Sequence, residues 1–293
     1  MRNTFINTLV KLAHERSNVA LIVGDLGYSV VEPFADQFPD RFINAGVAEQ
    51  NMTGLAAGMA SEGFHVFTYS IANFPTFRCA EQIRNDIDYH KLPVTVVSVG
   101  GGLSYGALGY SHHAIQDYAL LRTFPNMLIA APGDPLEVEA CMNYLADNPQ
   151  PSYLRLGKTG EKNFHLEPPQ LEPGRWVPIN TREGAEKIVL TTGAALQSMV
   201  NFEGDKSLNE YSLFSVPLWG MGSKVLQAEQ VKGWSEILTI EDHLQDGGFS
   251  SWLSESLSED KGHISKITPR SLNAGICGQV GSQQILEKLG GIL

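Results

Sequence analysis

The chain has 293 residues, 43% hydrophobic and 18% charged, room for two domains at roughly 150 residues each and a balance that excludes a disordered chain or a coiled coil. Twenty-one Lys and Arg stand against 32 Asp and Glu, a net charge of −11 with no basic cluster, which argues against nucleic acid or anionic membrane as a partner. Cys79, Cys141 and Cys277 lie far apart with no CxxC pair, so they read as reduced thiols of a cytoplasmic protein.

Residues 5–13 carry apolar side chains at helical spacing, interrupted by charge at Lys11 and followed by Glu15 and Arg16; this is no signal-peptide core. No apolar run reaches the roughly 18 residues of a membrane span. Residues 19–23 are a short apolar run ending at Gly24-Asp25, as a buried strand does. The alternation continues with a strand at 42–44, a small-residue helix at 49–61, a strand at 65–69, a helix at 77–88 and a strand at 94–99. A helix at 115–122, a strand at 127–131, a helix at 135–146 and a strand at 152–156 complete it. Such alternation predicts an α/β fold, a parallel sheet covered by helices. Residues 157–183 turn to Lys, Pro and Glu, with Pro168-Pro169 and Pro173-Gly174, and read as a linker. Strands at 187–191, 211–216 and 237–240 alternate with helices in a second, smaller α/β domain. The expected division is 1–160, a linker at 161–183, and 184–293.

Several local motifs invite chemistry. Gly102-Leu103-Ser104-Tyr105-Gly106 follows a strand and fits GxSxG, and Asp242-His243 would complete a hydrolase triad in chain order. A nucleophile elbow runs straight from strand into helix, whereas Gly100 to Gly102 loosen this one and Gly109 interrupts the residues after it; a glycine-rich loop is the favoured reading. Gly24-Asp25-Leu26 with Asn51 lacks the third glycine of a diphosphate-magnesium motif, and a strand intervenes where ligands must converge. Asp25 reads instead as a residue at the switch end of the first strand. His112-His113 are adjacent, so their side chains diverge, and no third ligand stands at metal spacing. No metal is expected on this chain; either ring could carry a proton or be a packed structural histidine. Glu49 follows a strand and opens a helix, which fits a ligand-binding carboxylate or a simple complement to the helix dipole. Phe74-Pro75-Thr76-Phe77 could stack on a flat heterocycle or pack in the core.

Taken in order, these segments resemble the C-terminal half of transketolase. The residues that carry the resemblance are Phe42-Ile43-Asn44-Ala45-Gly46-Val47-Ala48-Glu49-Gln50, the stretch from Phe74 to Asp86, Gly109-Tyr110-Ser111-His112-His113, and Leu121 to Met127. Gly133-Asp134-Pro135, Tyr153 to Lys158, Ile240-Glu241-Asp242-His243 and Gly247-Gly248-Phe249 continue it to nearly the whole chain. It implies a pyrimidine-binding domain followed by the transketolase C-terminal domain, the latter serving assembly. The diphosphate-binding domain of that family has no counterpart here, so the chain looks like the smaller subunit of a split transketolase. The implied partner is a separate diphosphate-binding subunit, expected as an α2β2 heterotetramer with thiamine diphosphate and Mg2+ across the interface, the metal held mainly by the partner.

The resemblance also implies residue roles. Glu49 hydrogen-bonds the aminopyrimidine ring and promotes its imino form. Phe74, or Phe77 one alignment slip away, stacks on that ring, and Asp25 faces the cofactor. His112 contacts sugar hydroxyls and shuttles protons, with His113, Ser29 and Lys158 on the substrate side. The implied reaction moves a two-carbon ketol unit from a ketose to an aldose. Leu108 stands where phosphosugar transketolases carry an Asp, and Gly100 where they carry a phosphate-contacting His. Lys158 matches an arginine of that site, though a lysine offers a point charge and no fork; Arg2 matches another phosphate contact. A sugar whose phosphate is absent or differently held is therefore expected. The alternative is the β subunit of a 2-oxo acid dehydrogenase decarboxylase, which shares the domain pair.

Overall fold

The computed structural model describes residues 1–158, 160–200, 202–258 and 266–293. Its strands are β1 (Val19–Val23), β2 (Phe42–Asn44), β3 (His65–Ile71), β4 (Val94–Val99), β5 (Leu128–Ala130), β6 (Ser152–Leu156), β7 (Val177–Asn180), β8 (Lys187–Thr191), β9 (Tyr211–Ser215), β10 (Leu218–Gly220), β11 (Glu236–Leu244) and β12 (Lys266–Leu272). They build two mainly parallel sheets, one in the order β10-β5-β6-β4-β3-β1-β2 and one in the order β12-β11-β8-β9-β7.

Every residue of β1, β4 and β6 is buried, because strands of a parallel sheet are covered on both faces. Alternate side chains go to opposite cores. Ile22, Val66, Val94 and Val96 meet Met52 and Ala56 of the helix Glu49–Ser61. Leu21, Val23, Phe67, Tyr69 and Val97 meet Phe5 and Leu9 of Arg2–Glu15 and Val138 of Pro135–Asp147. The last of these helices starts on a proline behind an Asp134 cap, whose side chain accepts from the Glu137 N–H, a standard start signal.

Three features depart from the sequence reading. The stretch expected as a linker contains β7, which pairs antiparallel with β9 at the sheet edge; an edge position is where Pro178 costs no ladder bond. Strand β10 leaves the second half of the chain and joins β5 antiparallel in the first sheet. Its Trp219 is fully buried and packs against Tyr118, Phe249 and Trp252, so one apolar core runs through both halves. The helix read at 77–88 changes pitch along its length, from 3-10 over Phe77–Cys79 through α over Ala80–Gln82 to π over Ile83–Asp88, a widening that often sits beside functional sites.

Candidate active site at the strand ends

Because β6, β4, β3, β1 and β2 are neighbours and parallel, their carboxyl ends leave the same edge of the sheet, where open α/β sheets bind ligands. Across that edge stand Lys158 after β6, His112 after β4, Phe74 after β3, Asp25 after β1 and Glu49 after β2.

Glu49 is the first residue of its helix, so its charge does complement the helix dipole. An exposed glutamate would do that equally well, yet this one is only 4% exposed. Its Oε2 accepts from Arg78 Nη1 at 3.2 Å, while Oε1 has no partner among the described residues. Leaving a buried polar atom unpaired costs about 1–3 kcal/mol. Beside it, Ser70 Oγ is likewise buried without a partner, and a Cβ added to Gly24 would stand 3.5 Å from that hydroxyl and 3.6 Å from Glu49 Cγ. This is a small polar cradle with one acceptor to spare.

Phe74 is linked to it through Arg78. The half-buried ring has the His112 imidazole against it at 5.3 Å, edge to face, and the Arg78 guanidinium over it at 4.2 Å. Phe77 is 45% exposed and makes no ring contact among the described residues. His112 is partly buried, with Nδ1 3.0 Å from Ser111 Oγ. Burial, then the neighbouring side chains of His113 and Arg78, hold its pKa below the ordinary 6.5, which favours the neutral ring near neutral pH. His113 diverges from it as adjacent residues do: it is fully buried in its own loop, with Nε2 3.4 Å from the Gly106 carbonyl and its backbone carbonyl accepting from Asn73 Nδ2 at 2.7 Å.

Asp25 and Ser29 sit in the loop after β1 with φ of 55° and 64°, left-handed conformations that only a few non-glycine residues adopt. Asp25 Oδ1 accepts from Asn44 Nδ2 at 3.0 Å and from the Tyr28 hydroxyl at 3.2 Å. Ser29 is exposed, its N–H donating to Glu32 Oε1 at 2.7 Å. On the far side, Lys158 Nζ lies 5.3 Å from the Tyr105 ring, whose centre is 6.5 Å from that of His112. Arg2 begins its helix, and its N–H donates to the Lys158 carbonyl at 3.5 Å.

Gly100 has a physical reason in this loop: its φ is 83°, and a side chain there would collide with the Tyr105 ring. Tyr105, Arg78 and Ser70 are the residues the sequence reading passes over. Tyr105 hid inside the GxSxG match, and Arg78 inside a segment read as helix; Ser70 carries no signal, since it is an ordinary alternate position of a strand. Ser104 is buried and makes no hydrogen bond to His243 among the described residues. His243 instead stacks on Tyr118 at 5.2 Å, with Nδ1 2.6 Å from the Leu244 carbonyl, so no triad forms.

Asp242 belongs to a different cluster. Arg155 Nε donates to Asp117 Oδ2 at 2.7 Å, Nη1 to Asp242 Oδ1 at 2.5 Å, and Nη2 to the Ala114 carbonyl at 2.6 Å. Tyr153 OH donates to Asp117 at 2.5 Å, and the guanidinium lies 4.4 Å over the Tyr118 ring. Next to it, Glu241 accepts from the N–H groups of Phe249 and Ser250 at 2.6 and 3.1 Å. A side chain at Gly248 would strike that carboxylate, and one at Gly247 would strike Ala119, so Gly248 lets the following helix close on Glu241 and Gly247 lets the two halves of the chain approach.

Residues 1–160 match the family model described as "Transketolase, pyrimidine binding domain", and the chain belongs to the transketolase family. It is 30% identical over 264 residues to a Phocaeicola vulgatus protein that is one subunit of an apulose-4-phosphate transketolase, with 88% of this chain and 84% of that one covered. To a putative transketolase C-terminal section of Methanocaldococcus jannaschii it is 30% identical over 296 residues, covering 100% and 92%. Among solved structures, a split gene transketolase described as an inactive beta4 tetramer superposes with a TM-score of 0.81 at 29% identity, covering 99% of this chain and 93% of that chain. These relatives make the chain a transketolase-like subunit of a transferase-type enzyme, and they do not favour the 2-oxo acid dehydrogenase alternative. No helix among the described residues is long and apolar enough to cross a membrane.

Proposed function

We propose that this chain is the small subunit of a two-chain transketolase that moves a two-carbon ketol unit from a ketose to an aldose, working with thiamine diphosphate and Mg2+ and a separate diphosphate-binding subunit. The observation that carries the reading is Glu49: a buried carboxylate at a strand end, one oxygen unpaired, opening beside an aromatic face and a neutral histidine. Such a group suits a nitrogen heterocycle that can donate to it. Thiamine diphosphate, when bound, supplies the nucleophilic carbon that attacks a ketose carbonyl.

This chain's residues would do the rest. Glu49 Oε1 would accept from the aminopyrimidine in a charge-assisted bond, strong because the site is sheltered from water. Phe74, with its half-buried face, suits the stack better than the exposed Phe77. Asp25, held by Asn44 and Tyr28, would border the cofactor. His112, neutral near pH 7, can take a proton from a sugar hydroxyl and return it. His113 would act through the shape of the loop, being itself buried. Mg2+ and the diphosphate would be held mainly by the partner. The β4 tetramer of the related structure is described as inactive, and this supports a requirement for that partner, in an α2β2 assembly.

On the substrate side, Lys158 brings a cation over Tyr105, while Tyr105 itself takes the space a side chain at 100 would need. With exposed Leu108 beside them, these residues suit a sugar whose phosphate is absent or held by Lys158 and Ser29. The test is to mix the chain with its diphosphate-binding partner, thiamine diphosphate and Mg2+ and to measure ketol transfer. Glu49→Ala is expected to lower kcat about 100- to 1000-fold; undiminished transfer by the variant overturns the proposal.

A further inference from the structure

Arg78 makes the ion pair of this site and yet has no part in the chemistry proposed above. It stands four residues beyond Phe74, where the chain turns into its helical stretch. One guanidinium serves two contacts at once, donating from Nη1 to Glu49 Oε2 at 3.2 Å and lying 4.2 Å from the centre of the Phe74 ring. The two ends differ in setting: the Arg78 side chain is 50% exposed, the Glu49 side chain 3%. A flexible cation thus reaches in from the rim, across an aromatic face, to a buried carboxylate.

A guanidinium is flat, stacks on aromatic rings and donates to carboxylates. An aminopyrimidine is flat, stacks on the same kind of ring and donates to the same kind of group. The Phe74 face accommodates one layer at van der Waals distance, about 3.5–4 Å, so ring and guanidinium cannot share it. We propose that Arg78 is a resident mimic of the heterocycle, an autoinhibitory contact that closes the cradle and swings out when the pyrimidine enters; this rests on the function proposed above. The unpaired Oε1 can accept from the edge of the incoming ring before that ring stacks; the guanidinium then leaves Oε2 and the Phe74 face together, so the carboxylate passes from one donor to the other without a stage in which it is buried and bare.

The contact has two opposite effects. It compensates the Glu49 charge and so supports the chain by itself, and it lowers apparent cofactor affinity by the fraction of time the cradle is closed. Thiamine diphosphate, with Mg2+, is titrated into the assembled complex of wild-type chain and partner and into complexes carrying Arg78→Gln or Arg78→Lys. Arg78→Gln is expected to bind roughly three- to tenfold more tightly, with Arg78→Lys between it and wild type, since lysine keeps the charge without the planar stack. In the isolated chain, Arg78→Gln is expected to lower the melting temperature. Wild-type binding with equal or weaker binding by Arg78→Gln overturns the mimic and leaves the proposed function standing. An isolated Arg78→Gln chain that melts no lower than wild type also overturns it. A wild-type complex that binds no thiamine diphosphate overturns the proposed function and this inference together.

Discussion

Two arginines of this chain face carboxylates, in opposite surroundings. Arg155 is 2% exposed and saturated: Asp117, Asp242, the Ala114 carbonyl and the Tyr118 hydroxyl all receive its N–H groups. Arg78 is half exposed and makes one ion pair and one ring contact. The first arrangement has nowhere to go, because moving any member strands a buried charge. The second can open from its arginine side, because water can take the guanidinium, provided another donor reaches the buried Glu49. Charge alone does not tell the two arrangements apart; the exposure of the arginine and the number of its partners do.

The sharpest way to break this comparison is to remove Arg155. Arg155→Met leaves Asp117 and Asp242 buried without their cation, and a loss of about 3–5 kcal/mol in unfolding free energy is expected, read by urea denaturation. A smaller loss would mean that the two carboxylates find water or protons and that the cluster does not tie β6 to β11.

Glu241 sharpens it through pH. Burial is the largest influence on its carboxyl and the neighbouring Asp242 adds to it, raising its pKa from 4.5 to about 7 against the hydrogen bonds from Ser250, Phe249 and Ser271. The folded chain therefore holds a proton that the unfolded chain releases above 4.5. Stability from this group is complete below about pH 4.5 and is lost as pH rises to about 7, a span of about 3 kcal/mol. Glu241→Gln should remove that slope; identical pH profiles of melting temperature for wild type and variant would show that Glu241 ionises freely in the fold.

The smallest effect on folding and a clear one on chemistry is expected at the rim. His112→Ala should leave the melting temperature within a few degrees while lowering ketol transfer about 100-fold. A variant that melts far lower with normal turnover would place His112 among the structural histidines, with His113.

Much of the fold is legible in the sequence because local physics carries it. The strands at 19–23, 42–44, 94–99 and 152–156 and the helix at 49–61 fall where periodicity and punctuation put them, since a doubly covered strand must be apolar throughout. Glu49, Phe74 and His112 are visible as candidates, and the fold brings them to one edge. The edge strands β7 and β10 are not, because each is short and is made a strand by the neighbour it pairs with. The change of pitch across 77–88 is hidden for a similar reason, as 3-10, α and π turns share nearly the same sequence preferences.

By itself, then, the sequence determined the α/β class, the ends of most strands and the residue types offered at those ends, all set by interactions within a few residues. Only the tertiary structure decided that Asp242 serves a buried charge cluster, that His113 is enclosed while His112 is presented, and that Arg78 lies between Phe74 and Glu49. Those outcomes depend on contacts between residues far apart in the chain, and burial, which gives a carboxylate or an imidazole its chemistry, exists only once the sheets have packed.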